Sequence, residues 1–157
     1  MKPKIEKVSY NNRKRAFEVT TSKGKMDFPY SKLQLKPSGA DHLNRVSVDK
    51  ELGNRAFTYQ LKSGKEGSVH IDAILEYHRD PDYVRDILLY QLTVQAQEIL
   101  RQKKTSKREV IRRLGTSPTQ FYRLIDQAFY GKTIDQMIKL LSALDYDVNL
   151  SIEKKAA

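Results

Sequence analysis

The sequence predicts an α+β fold: a small N-terminal antiparallel β-rich domain over residues 1–80, then an all-α domain over 81–157 that closes on a short C-terminal strand. Three observations predict it. Before residue 80, short apolar runs are separated by Gly, Asn, Ser and Pro turn signals, the punctuation of strands and hairpins. After it, apolar residues recur at helical spacing. Between the halves, Asp80-Pro81-Asp82 supplies a cap, a helix-starting proline and an acid near the positive end of a helix dipole.

The strand candidates follow in order. They are Glu6 to Tyr10, Ala16 to Thr20, Lys25 to Phe28, Val46 to Val48, Phe57 to Leu61 and Ser68 to Ile71. Asn11-Asn12, Ser22-Lys23-Gly24, Pro37-Ser38-Gly39, Leu52-Gly53-Asn54 and Lys62-Ser63-Gly64 mark the turns. Arg15-Ala16-Phe17 recurs as Arg55-Ala56-Phe57, and Gly24-Lys25 as Gly64-Lys65, both 40 residues on. Two similar hairpins in one small sheet would give this echo, and so would chance.

A long helix is predicted from about Pro81 to Gln102, with Val84, Ile87, Leu88, Leu92, Ala96, Ile99 and Leu100 as its buried stripe and a break near Thr93 as one way to divide it. Thr105 or Ser106 then caps a helix that turns Val110, Ile111 and Leu114 inward, and the Ser106-to-Glu109 spacing fits a capping box. Gly115 ends that helix, because glycine enters the left-handed region without steric cost. Ser117 caps the next, Pro118 takes its first position, and Phe121, Leu124 and Ile125 form its inner face. After the Gly131-Lys132 turn, Thr133 caps a last helix with Ile134, Met137, Ile138, Leu141 and Leu144 in the core. Asp147 to Ile152 alternates apolar and polar residues and reads as the closing strand, with Glu153 to Ala157 frayed.

Charge narrows the function. The chain has 157 residues, 29 Lys and Arg against 19 Asp and Glu, and a formal net charge of +10. Such a surplus attracts polyanions. Between Arg101 and Lys132, nine basic residues against two acids leave +7. The absence of cysteine excludes disulfides and thiolate metal sites. The charged amino terminus, Met1-Lys2-Pro3-Lys4, has no apolar core behind it, and no apolar run reaches membrane-spanning length. A cytoplasmic protein is therefore expected.

Catalytic chemistry is poorly represented. His70-x-Asp72 and His78-x-Asp80 have the residue types of an acid–base pair, and on a strand His70 and Asp72 would share a face. No phosphate-binding loop, dinucleotide fingerprint or nucleophile elbow is present. The expectation is no enzyme, no metal and no cofactor.

The helical half, about Tyr90 to Asp147, resembles the λ repressor/Cro-like helix-turn-helix family, also called the xenobiotic-response-element family. Leu114-Gly115 closes the first motif helix, Ser117 opens the second, Arg123-Leu124 stands where the family often has arginine and an aliphatic residue, and Leu140-Leu141-Ser142-Ala143-Leu144 matches its last packing helix. Ile111 replaces the family's usual alanine and Phe121 its small aliphatic residue, which implies a wider crossing or a shifted helix. The N-terminal half resembles a small uncharacterised bacterial domain sometimes joined to such units. The resemblance implies a prokaryotic transcriptional regulator that places residues 117–125 in the major groove, with the helix-turn-helix at about 106–125. Thr119 and Arg123 would then meet base edges while Lys107 and Ser117 meet phosphates. From the residues themselves, Gln120 joins the base-reading face, since Gln matches adenine and Arg guanine. Arg108, Arg112 and Lys132 add phosphate contacts. Double-stranded DNA and a homodimer are the expected partners. The alternative is an antitoxin-like module that masks a toxin-like protein with an apolar wedge at Phe121, DNA binding being secondary.

Overall fold

The structure is a computed structural model that describes residues 3–155. The first two residues of the charged amino terminus and the last two of the stretch expected to fray lie outside it. The chain divides into two compact units, Met1–Tyr83 and Val84–Ala157.

The first unit is built on two three-stranded antiparallel sheets. Strands β1 (Ile5–Asn11), β2 (Ala16–Thr21) and β3 (Gly24–Pro29) form one meander, and β4 (Leu43–Val48), β5 (Ala56–Leu61) and β6 (Glu66–His70) form the other. The 40-residue echo is structural. β2 and β5 share one burial pattern, with Ala16, Phe17 and Val19 inward in one and Ala56, Phe57 and Tyr59 in the other. Each meander has a register shift early in its first strand, at Ile5/Lys7 and at Leu43/Arg45. The Tyr30 N–H donates to Arg15 O at 3.0 Å, and the Ile71 N–H to Arg55 O at 2.8 Å. The repeated phenylalanines meet in the core, with the Phe17 and Phe57 ring centroids 4.7 Å apart.

A 3-10 turn, Tyr30–Lys32, follows the first meander, and helix α1 (Ile71–His78) follows the second. α1 packs on β3 and β6 through Ile71, Ile74 and Leu75. Its first residue and Asp72 belong to a helix, so the strand expected to carry them ends at His70.

Helix α2 runs Pro81–Gln102 without a break. The Tyr83 N–H donates to Asp80 Oδ2 at 3.1 Å, the expected cap. Its buried residues are Leu89, Thr93, Ala96 and Ile99, while Leu88 is exposed, so the inner face is rotated from the one expected. Buried Thr93 is satisfied within the helix, its Oγ1 donating to Leu89 O at 2.7 Å. Helices α3 (Lys107–Leu114), α4 (Pro118–Leu124) and α5 (Ile134–Ala143) complete the second unit. Their core gathers Val110, Phe121, Leu124, Met137, Leu140, Leu141 and Leu144 on Leu89, Ala96 and Ile99. Ile138, expected inside, is exposed.

The expected fold class is corrected by this architecture. It is α+β, but not one β-rich domain followed by an all-α helix-turn-helix bundle with a closing strand. The β half comprises two separate sheets, because the repeat supplies two complete sets of hairpins, and it carries a helix of its own. Residues 147–152 form no strand; the elements described in the second unit are all helices, so that unit offers their backbone no strand edge.

Candidate nucleic-acid interface

The site is built on α3, the turn after it and α4. Ser106 caps α3, its Oγ accepting from the Glu109 N–H at 3.1 Å. The capping box is half made: the Glu109 carboxylate turns to Arg112 and Arg113 instead of returning to the backbone of Ser106. Gly115 stands at φ +69°, and its N–H donates to the carbonyls of Ile111 and Arg112 at 3.0 and 3.2 Å. Two residues later Ser117 Oγ accepts from the Gln120 N–H at 3.1 Å, with Pro118 in the first turn. A stop and a start two residues apart thus set the corner between the helices.

Packing then decides which side of α4 faces out. Phe121 is 0% exposed and Leu124 3%, both in the core. Thr119 and Arg123, four apart and therefore on one face, lie on the other side and are exposed. Gln120 sits on the flank, half-buried. Tyr122 is exposed on the opposite flank, its ring centroid 5.7 Å from Lys107 Nζ. The Arg123 guanidinium lies 5.9 Å from the Phe129 ring, which gives its planar group a surface to rest on.

Of the expected phosphate ligands, Lys107, Arg108 and Ser117 are exposed. Arg112 is exposed but engaged by Glu109 through Nε at 2.9 Å and a second, shorter bond. The Arg112 guanidinium holds the Glu109 carboxyl at about 2, and Arg113 assists. Arg113 also reaches Asp145, as does Lys103 at 2.9 Å. Much of the formal +7 is thus neutralised on the spot.

Lys132 is a correction. It is 1% exposed, and its Nζ donates to Leu124 O at 2.8 Å and Asp126 O at 3.0 Å. It satisfies carbonyls at the end of α4 and has no access to a phosphate. Burial lowers its pKa from the ordinary lysine value, against the pull of Asp126. The same loop is tied to α2, where Arg85 donates to Tyr130 O and Lys132 O and Gln97 donates to Ile125 O at 2.6 Å. Sequence reasoning missed these tethers, because a lysine beside a turn glycine carries no mark of burial.

Full burial of Phe121 also removes the apolar wedge on which the toxin-masking alternative relied. His70 caps α1, its Nδ1 accepting from the Asp72 N–H at 3.1 Å. An Nδ1 lone pair used in that way is not a proton donor, so the 3.5 Å separation from Asp72 Oδ2 is proximity within the cap. His78 Nε2 bonds the Asp27 carbonyl on β3. Among the described residues no group of three or more His, Cys, Asp or Glu is placed to hold a metal ion, and no helix is long and apolar enough to cross a membrane.

No protein-family model, curated protein or solved structure matches this chain.

Proposed function

We propose that this protein is a prokaryotic transcriptional regulator that binds duplex DNA sequence-specifically, as a cytoplasmic homodimer, with α3, the Gly115 turn and α4 acting as a helix-turn-helix reader. One observation carries the reading. Thr119 and Arg123 stand side by side on the exposed face of α4 while Phe121 and Leu124 fasten its other face to the core. A short helix fixed in this way offers a side-chain pair to the floor of the major groove. Arg123 takes guanine by its two-pronged edge, Thr119 meets a neighbouring base, and Gln120 reaches an adjacent edge from the flank. Lys107, Arg108 and the Ser117 hydroxyl meet the phosphates on either side. Arg112, tied to Glu109, joins them only where that carboxylate is removed. A single short helix reads few base pairs, and a two-fold pair doubles the contact.

Selection of bound duplexes from random DNA at physiological salt is expected to return a palindromic consensus. Arg123→Ala should weaken binding to it by about 1–3 kcal/mol and relax one position, whereas Lys107→Ala should weaken all sequences alike. Equal losses on consensus and random DNA for both variants reject this division of labour, and recovery of no consensus rejects the reading.

A further inference from the structure

The second unit ends in a segment whose composition and surroundings disagree. Tyr146, Val148, Leu150 and Ile152 alternate with Asp147, Asn149 and Ser151, the pattern of a strand with one apolar face. Yet residues 147–155 lie outside every helix and strand. Leu150 and Ile152 are 81% and 88% exposed, the two most exposed large apolar side chains among the described residues. The root of the segment is fixed: the Tyr146 N–H donates to Leu141 O at 2.9 Å, and its ring lies 5.9 Å from Lys103 Nζ.

We propose that this segment is the homodimer contact, pairing antiparallel with the same segment of a second copy centred on Ser151. The register follows from charge. Centred there, Asp147 of each copy stands opposite Lys155 of the other, Leu150 opposite Ile152, and Asn149 opposite Glu153. Centred one residue earlier, on Leu150, Asp147 would face Glu153, and like charges directly opposite are destabilising. In the Ser151 register all four apolar residues of both copies share one face, and each copy supplies the strand edge that the second unit lacks. A two-stranded ribbon is marginal by itself. Here both strands start from the fastened end of α5, which leaves few residues to order.

The pairing specifies the dimer assumed in the proposed function but does not need DNA, so its test is separate. A chain that selects no operator can still dimerise in this way, and an operator-binding chain can lack this contact. The full chain is expected at twice its monomer mass by light scattering at micromolar concentration. A variant carrying both Leu150→Asp and Ile152→Asp is expected at the monomer mass, with its helical circular dichroism and thermal unfolding retained because both positions lie outside the core. The chain has no cysteine, so single cysteines report the register. Ser151→Cys, which meets its own copy, should crosslink with oxidised glutathione far more than Asn149→Cys or Leu150→Cys. A monomeric wild type, a dimer that survives the double substitution, or crosslinking that favours Asn149→Cys or Leu150→Cys overturns the proposal.

Discussion

Lys132 and Glu109 are single side chains that set how much of the basic surface is free to act. Lys132 is held inside by two carbonyl acceptors, and nothing in Gly131-Lys132-Thr133 sets it apart from a solvated turn. Its neighbours Leu124 and Asp126 are legible as helix end and loop, but the acceptors they offer exist only once the loop folds back. Lys132→Met keeps the apolar stem and removes the donors, and leaving buried acceptors unpaired costs about 1–3 kcal/mol. Urea unfolding should report that loss, while Lys104→Met, at an exposed residue, should stay within about 0.5 kcal/mol. Glu109 acts in the opposite sense, by occupying Arg112 and Arg113. Its folded carboxyl titrates at about 2 against an ordinary 4.5. The contribution of the contact is therefore complete above 4.5 and lost as pH falls from there towards 2. The stability difference between wild type and Glu109→Gln should follow that course and vanish at the acid end. At neutral pH the same substitution frees Arg112, while Arg113 keeps Asp145 and the Ala143 carbonyl. It should strengthen binding to random DNA and steepen the salt dependence by about one unit of slope for each new phosphate contact.

At the scale of elements, legibility followed length and punctuation. The bounds of α2 were readable because Asp80-Pro81 opens it and a helical apolar period runs to Gln102. Its inner face was not, since Leu88 and Leu89 are adjacent and only the packing partner chooses between them. α1 was missed because it starts directly on β6 with a histidine as its cap, without the Ser, Thr, Asp or Asn that marks α3 and α4, which are as short. The turns were legible, and two glycines separate conformational from steric need. Gly115 adopts φ +69°, and a Cβ there would meet nothing within 4 Å. Gly115→Ala should therefore cost only the backbone penalty of the left-handed region, about 1–2 kcal/mol. At Gly67 a Cβ would come within 2.3 Å of the Tyr59 ring, whose hydroxyl donates to Leu35 O at 2.6 Å. Gly67→Ala must displace that ring and break its bond. Thermal denaturation should show a larger drop for Gly67→Ala than for Gly115→Ala, and the reverse order would mean that Tyr59 moves aside freely.

For the whole molecule, the question is how much of the net +10 takes part in binding. Residues 1–83 hold sixteen basic and eleven acidic residues and residues 84–157 thirteen and eight, so each carries +5. Sequence counting pointed to the 101–132 stretch, but it could not see that Lys132 is buried, that Arg112 and Arg113 share Glu109, or that Arg101 pairs with Glu98 and Lys103 with Asp145. Pairing and burial in space, which a linear tally does not record, reduce nine cations to four that are exposed and have no ion pair among the described residues: Lys104, Lys107, Arg108 and Arg123. The proposed interface should therefore release few counterions. With Arg123 on a base, three phosphate contacts per chain give a slope of log affinity against log salt near −3, or about −5 for a dimer engaging two half-sites. If the whole surplus took part, the slope would be far steeper. Titration of a consensus duplex across a range of salt concentrations distinguishes these cases. Replacing Lys7 and Lys25 with glutamine should leave the slope unchanged, since both belong to strands of the first unit and not to the proposed reader. A slope that flattens in that variant would assign phosphate contacts to the β half and move the interface off the helices.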